Sequence, residues 1–233
     1  MAAERMIMLF VKFPEKGRVK SRLARDIGEG PALLLYEAMV QDTIDMLKRT
    51  KIPFRIFFYP PQKLEALRSW LGTSYSFLPQ NGIDLGERME SAFQQVFCEG
   101  AEEAVLIGTD IPGLTASLLS DAFGSLERHD AVIGPANDGG YYLIGFRSSS
   151  FTPSLFRAMT WSTDQVFQET LYRLQQAART FQVLAECIDV DTRDDLKAVL
   201  SRQSLAKSSR TRAFLSGHRA ELGLEESPWI ANR

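Results

Sequence analysis

The chain has 233 residues, 45% of them hydrophobic and 24% charged, a balance typical of a globular protein with one sizeable domain. Its 27 Lys and Arg against 29 Asp and Glu leave a formal charge of −2, which excludes a broad basic surface for gripping nucleic acid. Two cysteines and two histidines exclude a disulfide scaffold and a His-rich zinc site.

Met6 to Phe13 is a dense apolar run, short enough for a buried strand, broken by Pro14 and Gly17. Pro31 to Lys48 carries apolar residues at mostly helical spacing. Phe54 to Tyr59 reads as a strand ended by Pro60 and Pro61, Leu64 to Leu71 as a short helix, and Tyr75 to Leu78 as a third strand. Leu85 to Phe97 puts Met89, Ala92, Phe93, Val96 and Phe97 on one helical side. Ala104 to Ile107 is a buried strand, and Ser117 to Leu126 a helix with Thr115 as N-cap. Ala131 to Gly134 and Tyr141 to Phe146 are strands. Ser162 to Phe181 reads as a long helix opened by the capping-box pattern Ser162-x-x-Gln165. Gln182 to Ile188 is a last strand, and Asp194 to Leu200 begins a final helix. Cys98 and Cys187 fall in apolar patterns and are read as core residues.

Strands alternating with helices predict an α/β fold with a mostly parallel sheet covered on both faces. Such sheets bind ligands at the carboxyl ends of their strands. The polar, glycine-bearing clusters fall just past strands. Residues from about Ser201 onward are more polar and basic. The expected organisation is therefore a catalytic domain over 1–200 and a helical tail over 201–233. No run of about 18 apolar residues occurs, so no membrane span is expected. The opening residues lack the apolar region of a signal peptide, so a cytoplasmic location is expected.

Four clusters can carry chemistry. Lys12, Lys16, Arg18, Lys20 and Arg22 place five cations around Gly17, a pattern that can wrap a di- or triphosphate. A solvated basic loop is the competing reading, and neither a Walker A loop nor a dinucleotide fingerprint is present. Asp110 comes off an apolar strand in the turn Gly108-Thr109-Asp110-Ile111-Pro112. A carboxylate there suits Mg²⁺ or Mn²⁺, which prefer hard oxygens; capping of the next helix is the alternative. Asn137-Asp138-Gly139-Gly140 is either a plain turn or a place where a ligand nears the backbone. In Asp189-Val190-Asp191 the carboxylates alternate, so both face one way, and a second metal carboxylate can come from here. Thr192 or Asp191 can cap the following helix. Asp194 and Asp195 are read as favouring its N-terminus electrostatically. Smaller signals are Gln80-Asn81-Gly82 and the Trp161-Ser162-Thr163 opening.

Taken in order, six motifs resemble a bacterial family classed as glycosyltransferases within the nucleotide-diphospho-sugar transferase superfamily. They are Lys12-x-Pro14-x-x-Gly17-x-x-Lys20-x-Arg22-Leu23, Asp84-Leu85-Gly86-x-Arg88-Met89, Gly108-Thr109-Asp110-x-Pro112, Gly134-Pro135-Ala136-x-Asp138-Gly139-Gly140-Tyr141-Tyr142-Leu143, Trp161-Ser162-Thr163 and Asp189-x-Asp191-Thr192-x-x-Asp195-Leu196. The family is similar to molybdenum-cofactor and 2-phospholactate guanylyltransferases. The resemblance spans about residues 6–200. It implies a glycosyltransferase A-type, Rossmann-like mixed sheet with an antiparallel strand near the acceptor side. It implies a metal-dependent, nucleotide-binding transferase using Mg²⁺ or Mn²⁺, with Asp110 and Asp191 as catalytic and metal residues. Lys12, Gly17, Lys20, Arg22 and Gln80 are expected on the nucleotide phosphates, and Asp138, Gly139, Gly140 and Trp161 on the acceptor side. Expected partners are a nucleotide or nucleotide-sugar donor and a small-molecule or glycan acceptor. The N-terminal loop departs from the glycine-rich loop of nucleotidyltransferases, being thinned to Gly17. Glycosyl transfer is the first expectation, nucleotidyl transfer with pyrophosphate release the alternative. A non-catalytic nucleotide-binding module is disfavoured because Asp110 and Asp191 are both present.

Overall fold

The computed structural model describes residues 4–202, 205–220 and 222–224. The chain divides into two compact units. The first comprises Met1–Phe13, Leu47–Gly108 and Thr115–Cys187, the second Pro14–Met46, Thr109–Leu114 and Ile188–Arg233.

The first unit holds a seven-stranded sheet. Its strands are β1 (Arg5–Lys12), β2 (Phe54–Tyr59), β3 (Phe77–Pro79), β4 (Glu103–Ile107), β5 (Ala131–Pro135), β6 (Tyr141–Arg147) and β7 (Phe181–Val183), in the spatial order β3-β2-β1-β4-β6-β5-β7. β1 pairs in parallel with β2 and β4, β2 with β3, and β5 with β7. β6 alone runs against its neighbours, β4 and β5. The strand–helix alternation predicts the mostly parallel sheet, and the family resemblance implies its antiparallel strand. In β1, Ile7, Met8 and Leu9 are consecutive and all buried, and every residue of β4 is buried. Both faces of these strands are therefore covered, which is why they read as unbroken apolar runs.

The helices α3 (Leu64–Leu71), α4 (Leu85–Cys98), α5 (Ala116–Leu126) and α6 (Val166–Gln176) belong to this unit. Asp84 caps α4 and Thr115 caps α5, each accepting from the backbone N–H three residues on. The buried face of α4 joins a core that includes Met8, Phe57, Ile133, Ile144 and Phe146. Phe93 is its hub, lying edge-on to Phe146 and stacked on Phe156 with centroids 5.1 and 6.0 Å away.

The second unit contains α1 (Ser21–Ile27), α7 (Arg193–Ser201), α8 (Arg210–Gly217) and most of α2 (Glu29–Thr50). Asp42, on α2, accepts the backbone N–H groups of Arg210 and Thr211 at the start of α8. Within the 201–233 stretch, residues 203, 204, 221 and 225–233 lie outside the described residues. No helix among the described residues is long and apolar enough to cross a membrane.

Several expectations are corrected. The helix placed at Ser162 starts at Val166 and ends at Gln176. Ser162 has left-handed φ (66°), and no side chain caps the helix, so the capping-box pattern is not used. The strand placed at 182–188 pairs only over Phe181–Val183, with one further bridge between Ala136 and Cys187. Asp189 and Asp191 thus stand in a connector outside the strand. Cys98, at the end of α4, is exposed, and Cys187 is half-buried. The helix from Pro31 begins earlier, at Glu29, and α1 before it was not anticipated.

Phe93→Ala should lower the unfolding free energy by about 3–5 kcal/mol, as for other buried large aromatics. Urea denaturation followed by circular dichroism checks this. A loss below about 1 kcal/mol would show that the aromatic cluster closes over the gap.

Candidate active site

The second unit gathers four of its charged side chains at one point. Asp110 follows β4 in the segment Thr109–Leu114, where Leu114 N–H closes a turn on the Ile111 carbonyl. The Asp110 carboxylate is oriented from its own side, because the Thr109 hydroxyl donates to its Oδ1 at 3.3 Å. The Ile188–Asp191 connector pairs with this segment through Val190 N–H to the Asp110 carbonyl, 3.0 Å. Val190 is fully buried. Asp189 and Asp191 turn together to the other side, where both meet one ammonium, as the alternation in the sequence indicates.

Thr192 is the N-cap of α7. Its hydroxyl accepts from Asp195 N–H, and Asp195 Oδ2 accepts in return from Thr192 N–H at 2.8 Å. The same oxygen accepts from Asp191 N–H at 3.1 Å. Capping therefore falls to Thr192 and Asp195. Asp195 does more than the expected electrostatic service to the helix end.

Lys20 closes the cluster. It sits at the N-cap of α1 in left-handed backbone (φ 48°, ψ 44°) with no side-chain cap. Only 3% of its side chain is exposed. Its Nζ lies 2.9 Å from Asp110 Oδ2, 3.3 Å from Asp189 Oδ1 and 3.0 Å from Asp191 Oδ1. Three N–H donors thus meet three carboxylate oxygens, the full capacity of an ammonium group. Arg22 approaches more loosely, 3.8 Å from Asp191 Oδ2, and is largely exposed. One oxygen from each of Asp110, Asp189 and Asp191 lies within 4.8 Å of the others.

Burial by itself pushes the Lys20 ammonium down. The carboxylates of Asp110, Asp189 and Asp191 outweigh it, so its pKa stands well above that of an ordinary lysine. The sign follows from linkage. The stabilisation is complete below the unfolded lysine value near about 10.4 and fades only as pH rises through the raised folded value. Lys20 is therefore a permanent cation at neutral pH.

Of the residues predicted from sequence, Gly17, Lys20, Arg22, Asp110 and Asp191 belong to the second unit. Gly17 is exposed and left-handed (φ 71°). Lys20, Asp110 and Asp191 come together, with Arg22 at the rim. Asp189 joins them without having been named among the site residues, although its parity with Asp191 was the available signal. Lys20, expected on phosphate, faces the three carboxylates in this structure.

The remaining predicted residues belong to the first unit. Lys12 is exposed at the end of β1. Gln80 is buried, and its side-chain amide donates to the Phe57 carbonyl at 2.9 Å. Asp138 Oδ1 accepts from Gly140 N–H at 2.9 Å within the β5–β6 turn. Gly139 has φ +86°, and a Cβ there would collide with the Asp164 backbone. Trp161 is half-buried against Gly86, where a Cβ would strike both the indole ring and the Phe156 carbonyl. Its indole N–H is buried and has no partner among the described residues.

Architecture and comparisons define the class. The sheet is that of the nucleotide-diphospho-sugar transferase fold. The chain matches over residues 43–163 the family described as "Uncharacterized protein conserved in bacteria (DUF2064)", and it belongs to that family. It is similar to a crystal structure named "putative nucleotide-diphospho-sugar transferase" from Desulfovibrio desulfuricans G20. The identity is 40% and the TM-score 0.90, covering 95% of this chain and 98% of that one. Lower likeness, in fold alone, extends to CMP:2-keto-3-deoxy-manno-octonic acid synthetase complexed with CTP, at 12% identity and TM-score 0.53, covering 87% and 100%. It also extends to Rv0371c in complex with manganese from Mycobacterium tuberculosis H37Rv, at 16% identity and TM-score 0.51, covering 88% and 99%. No curated protein matches the chain.

Asp195→Ala should cost about 1–2 kcal/mol of stability, the range of a lost helix cap. It also frees Asp191 N–H. Thermal melts of Asp195→Ala beside Asp195→Asn check this, because Asn keeps an acceptor oxygen. Equal losses for the two variants would mean that hydrogen bonding to Thr192 and Asp191 is not what Asp195 supplies.

Proposed function

We propose that the chain is a metal-dependent transferase that binds a nucleotide-linked donor with Mg²⁺ or Mn²⁺ and passes part of it to a small-molecule or glycan acceptor. Membership of the family and the 40% identity to the Desulfovibrio relative support a transferase. The observation that carries the reading is the convergence of Asp110, Asp189 and Asp191 on one cation.

The donor set fits a hard divalent ion. Carboxylate oxygens are its preferred ligands, and the oxygens here lie within 4.8 Å of one another around a point that already accepts positive charge. Asp110, Asp189 and Asp191 would hold the ion, with Asp110 and Asp191 the two that matter for turnover. Bound there, the ion supplies neutralising charge for the donor phosphates. Lys20 and Arg22 add positive charge, and the backbone around Gly17 offers N–H groups. Lys12 and Gln80 are assigned to the nucleotide side, and Asp138, Gly139, Gly140 and Trp161 to the acceptor side. The catalytic part is placed in residues 1–200 with 201–233 as an appendage, and the location in the cytoplasm.

Glycosyl transfer is the first reading, since the resemblance is to glycosyltransferases. The run of cations from Lys16 to Arg22 favours a second, nucleotidyl transfer from a nucleoside triphosphate. Products separate them: a nucleoside diphosphate for the first, pyrophosphate for the second.

A thermal-shift screen of nucleotides and nucleotide sugars with and without Mg²⁺ tests the reading. A ligand at about 100 times its dissociation constant stabilises by about 2.7 kcal/mol. Asp110→Asn should abolish the Mg²⁺-dependent part of that shift with the fold intact. Retention of the full metal-dependent shift would refute the metal role. Arg22→Ala should weaken donor binding about ten-fold, the low end for a charge-assisted contact because the side chain is mostly exposed. Wild-type protein that binds a nucleoside as tightly as its triphosphate would refute phosphate recognition.

A further inference from the structure

Lys20 occupies the centre of the carboxylate group that the proposed function assigns to a divalent ion. Its ammonium nitrogen is within 2.9–3.3 Å of one oxygen from each of the three carboxylates. A magnesium ion bound to those oxygens sits roughly 2.0–2.1 Å from each. The oxygens themselves span no more than 4.8 Å. The two cations cannot share that centre. Co-occupancy would press a dication against an ammonium at short range, where like charges repel.

The lysine is also held there against a backbone cost. A side chain other than Gly, Asn or Asp in left-handed backbone is disfavoured, and Lys20 adopts it with φ 48° and ψ 44°. Its stem is nearly fully buried. The three carboxylates and one ammonium leave a formal charge of −2, so a divalent ion still has reason to come. It has to expel Lys20 first.

We infer that Lys20 is a built-in counter-ion that gates metal binding: the divalent ion and the Lys20 ammonium compete for Asp110, Asp189 and Asp191, and donor phosphates favour the metal-bound form by giving the displaced ammonium a new partner. Metal and donor then bind with positive coupling, because each favours the state in which Lys20 has left the carboxylates. Metal alone is disfavoured, which keeps the protein from holding an ion without donor. The inference rests on the metal reading given under the proposed function.

The test measures Mn²⁺ alone, free Mn²⁺ being read by electron paramagnetic resonance in titrations of wild type, Lys20→Met, Lys20→Asn and Lys20→Arg. Asn is included because it tolerates left-handed backbone, and Arg because it keeps the charge. Lys20→Met and Lys20→Asn should bind Mn²⁺ at least ten-fold more tightly than wild type, with Lys20→Arg showing no such gain. A second measurement needs no variant. Amine acylation of wild type, read by peptide mass mapping, should label Lys20 at least ten-fold faster with saturating Mn²⁺ than without. If Mn²⁺ binds wild type and the neutral variants equally and Lys20 labelling does not change, displacement is overturned while the metal reading stands. If no form, wild type included, binds Mn²⁺ at millimolar concentration, the metal reading fails and this inference fails with it.

Discussion

A single buried ammonium draws the second unit together. Lys20 is 169 residues from Asp189 and 171 from Asp191 along the chain, and Asp110 stands between them. The unit is built from three separate stretches, Pro14–Met46, Thr109–Leu114 and Ile188–Arg233, and each sends a charge to the same point. Bonds to backbone carbonyls accompany it. Val190 N–H reaches the Asp110 carbonyl, and the Arg193 guanidinium donates to the Asp26 carbonyl. Burying one lysine unpaired costs several kcal/mol. Against three carboxylates that remain partly hydrated, the ammonium is compensated without the acids being fully desolvated. Such a cluster ties together the stretches that carry Lys20, Asp110 and the Asp189–Asp191 pair.

The sheet was legible because its strands have one environment each. β1 and β4 are covered on both faces, so their apolar runs are unbroken, and the breakers Pro14, Pro60 and Pro112 fall just past β1, β2 and β4. The misreadings sit where tertiary contacts override a local pattern. Ser162-x-x-Gln165 has the residues of a capping box. Yet Trp161 is packed on Gly86, and the Asp164 backbone on Gly139, which holds the turn in a conformation the pattern does not contain. The last strand is interrupted after Val183, and beyond it only isolated bonds return to β5, from Leu184 N–H to the Ile133 carbonyl and from Cys187 N–H to the Pro135 carbonyl. In α1 the signal was short: Leu23 and Ile27 are the buried pair four apart in seven residues, too few to show a period.

The site was half legible. Residue type and position past a strand pointed to Asp110, and alternation pointed to Asp189 with Asp191. What sequence could not provide was the pairing across the fold. The same five cations can face solvent, phosphate or carboxylate, and only the fold decides that Lys20 is turned inward while Arg22 stays largely in water. Cys98 illustrates the same limit: a residue at the end of an apolar helix pattern is carried to the exposed side by where the helix stops.

The thinned N-terminal loop can now be understood in backbone terms. Glycine-rich phosphate loops use glycine because left-handed residues aim successive N–H groups into a concavity. Here Gly17 is left-handed, and so is Lys20, three residues on. The loop therefore keeps two such positions while spending only one on glycine. A lysine there bears a steric cost of roughly 1–2 kcal/mol, which a glycine would avoid, but glycine could not send an ammonium into the carboxylates. The ion cluster offsets the strain and so holds the lysine away from an ordinary helical start. Backbone conformation and charge are thus two sides of one arrangement. A loop poor in glycine is what remains when one left-handed position has been given over to a cation.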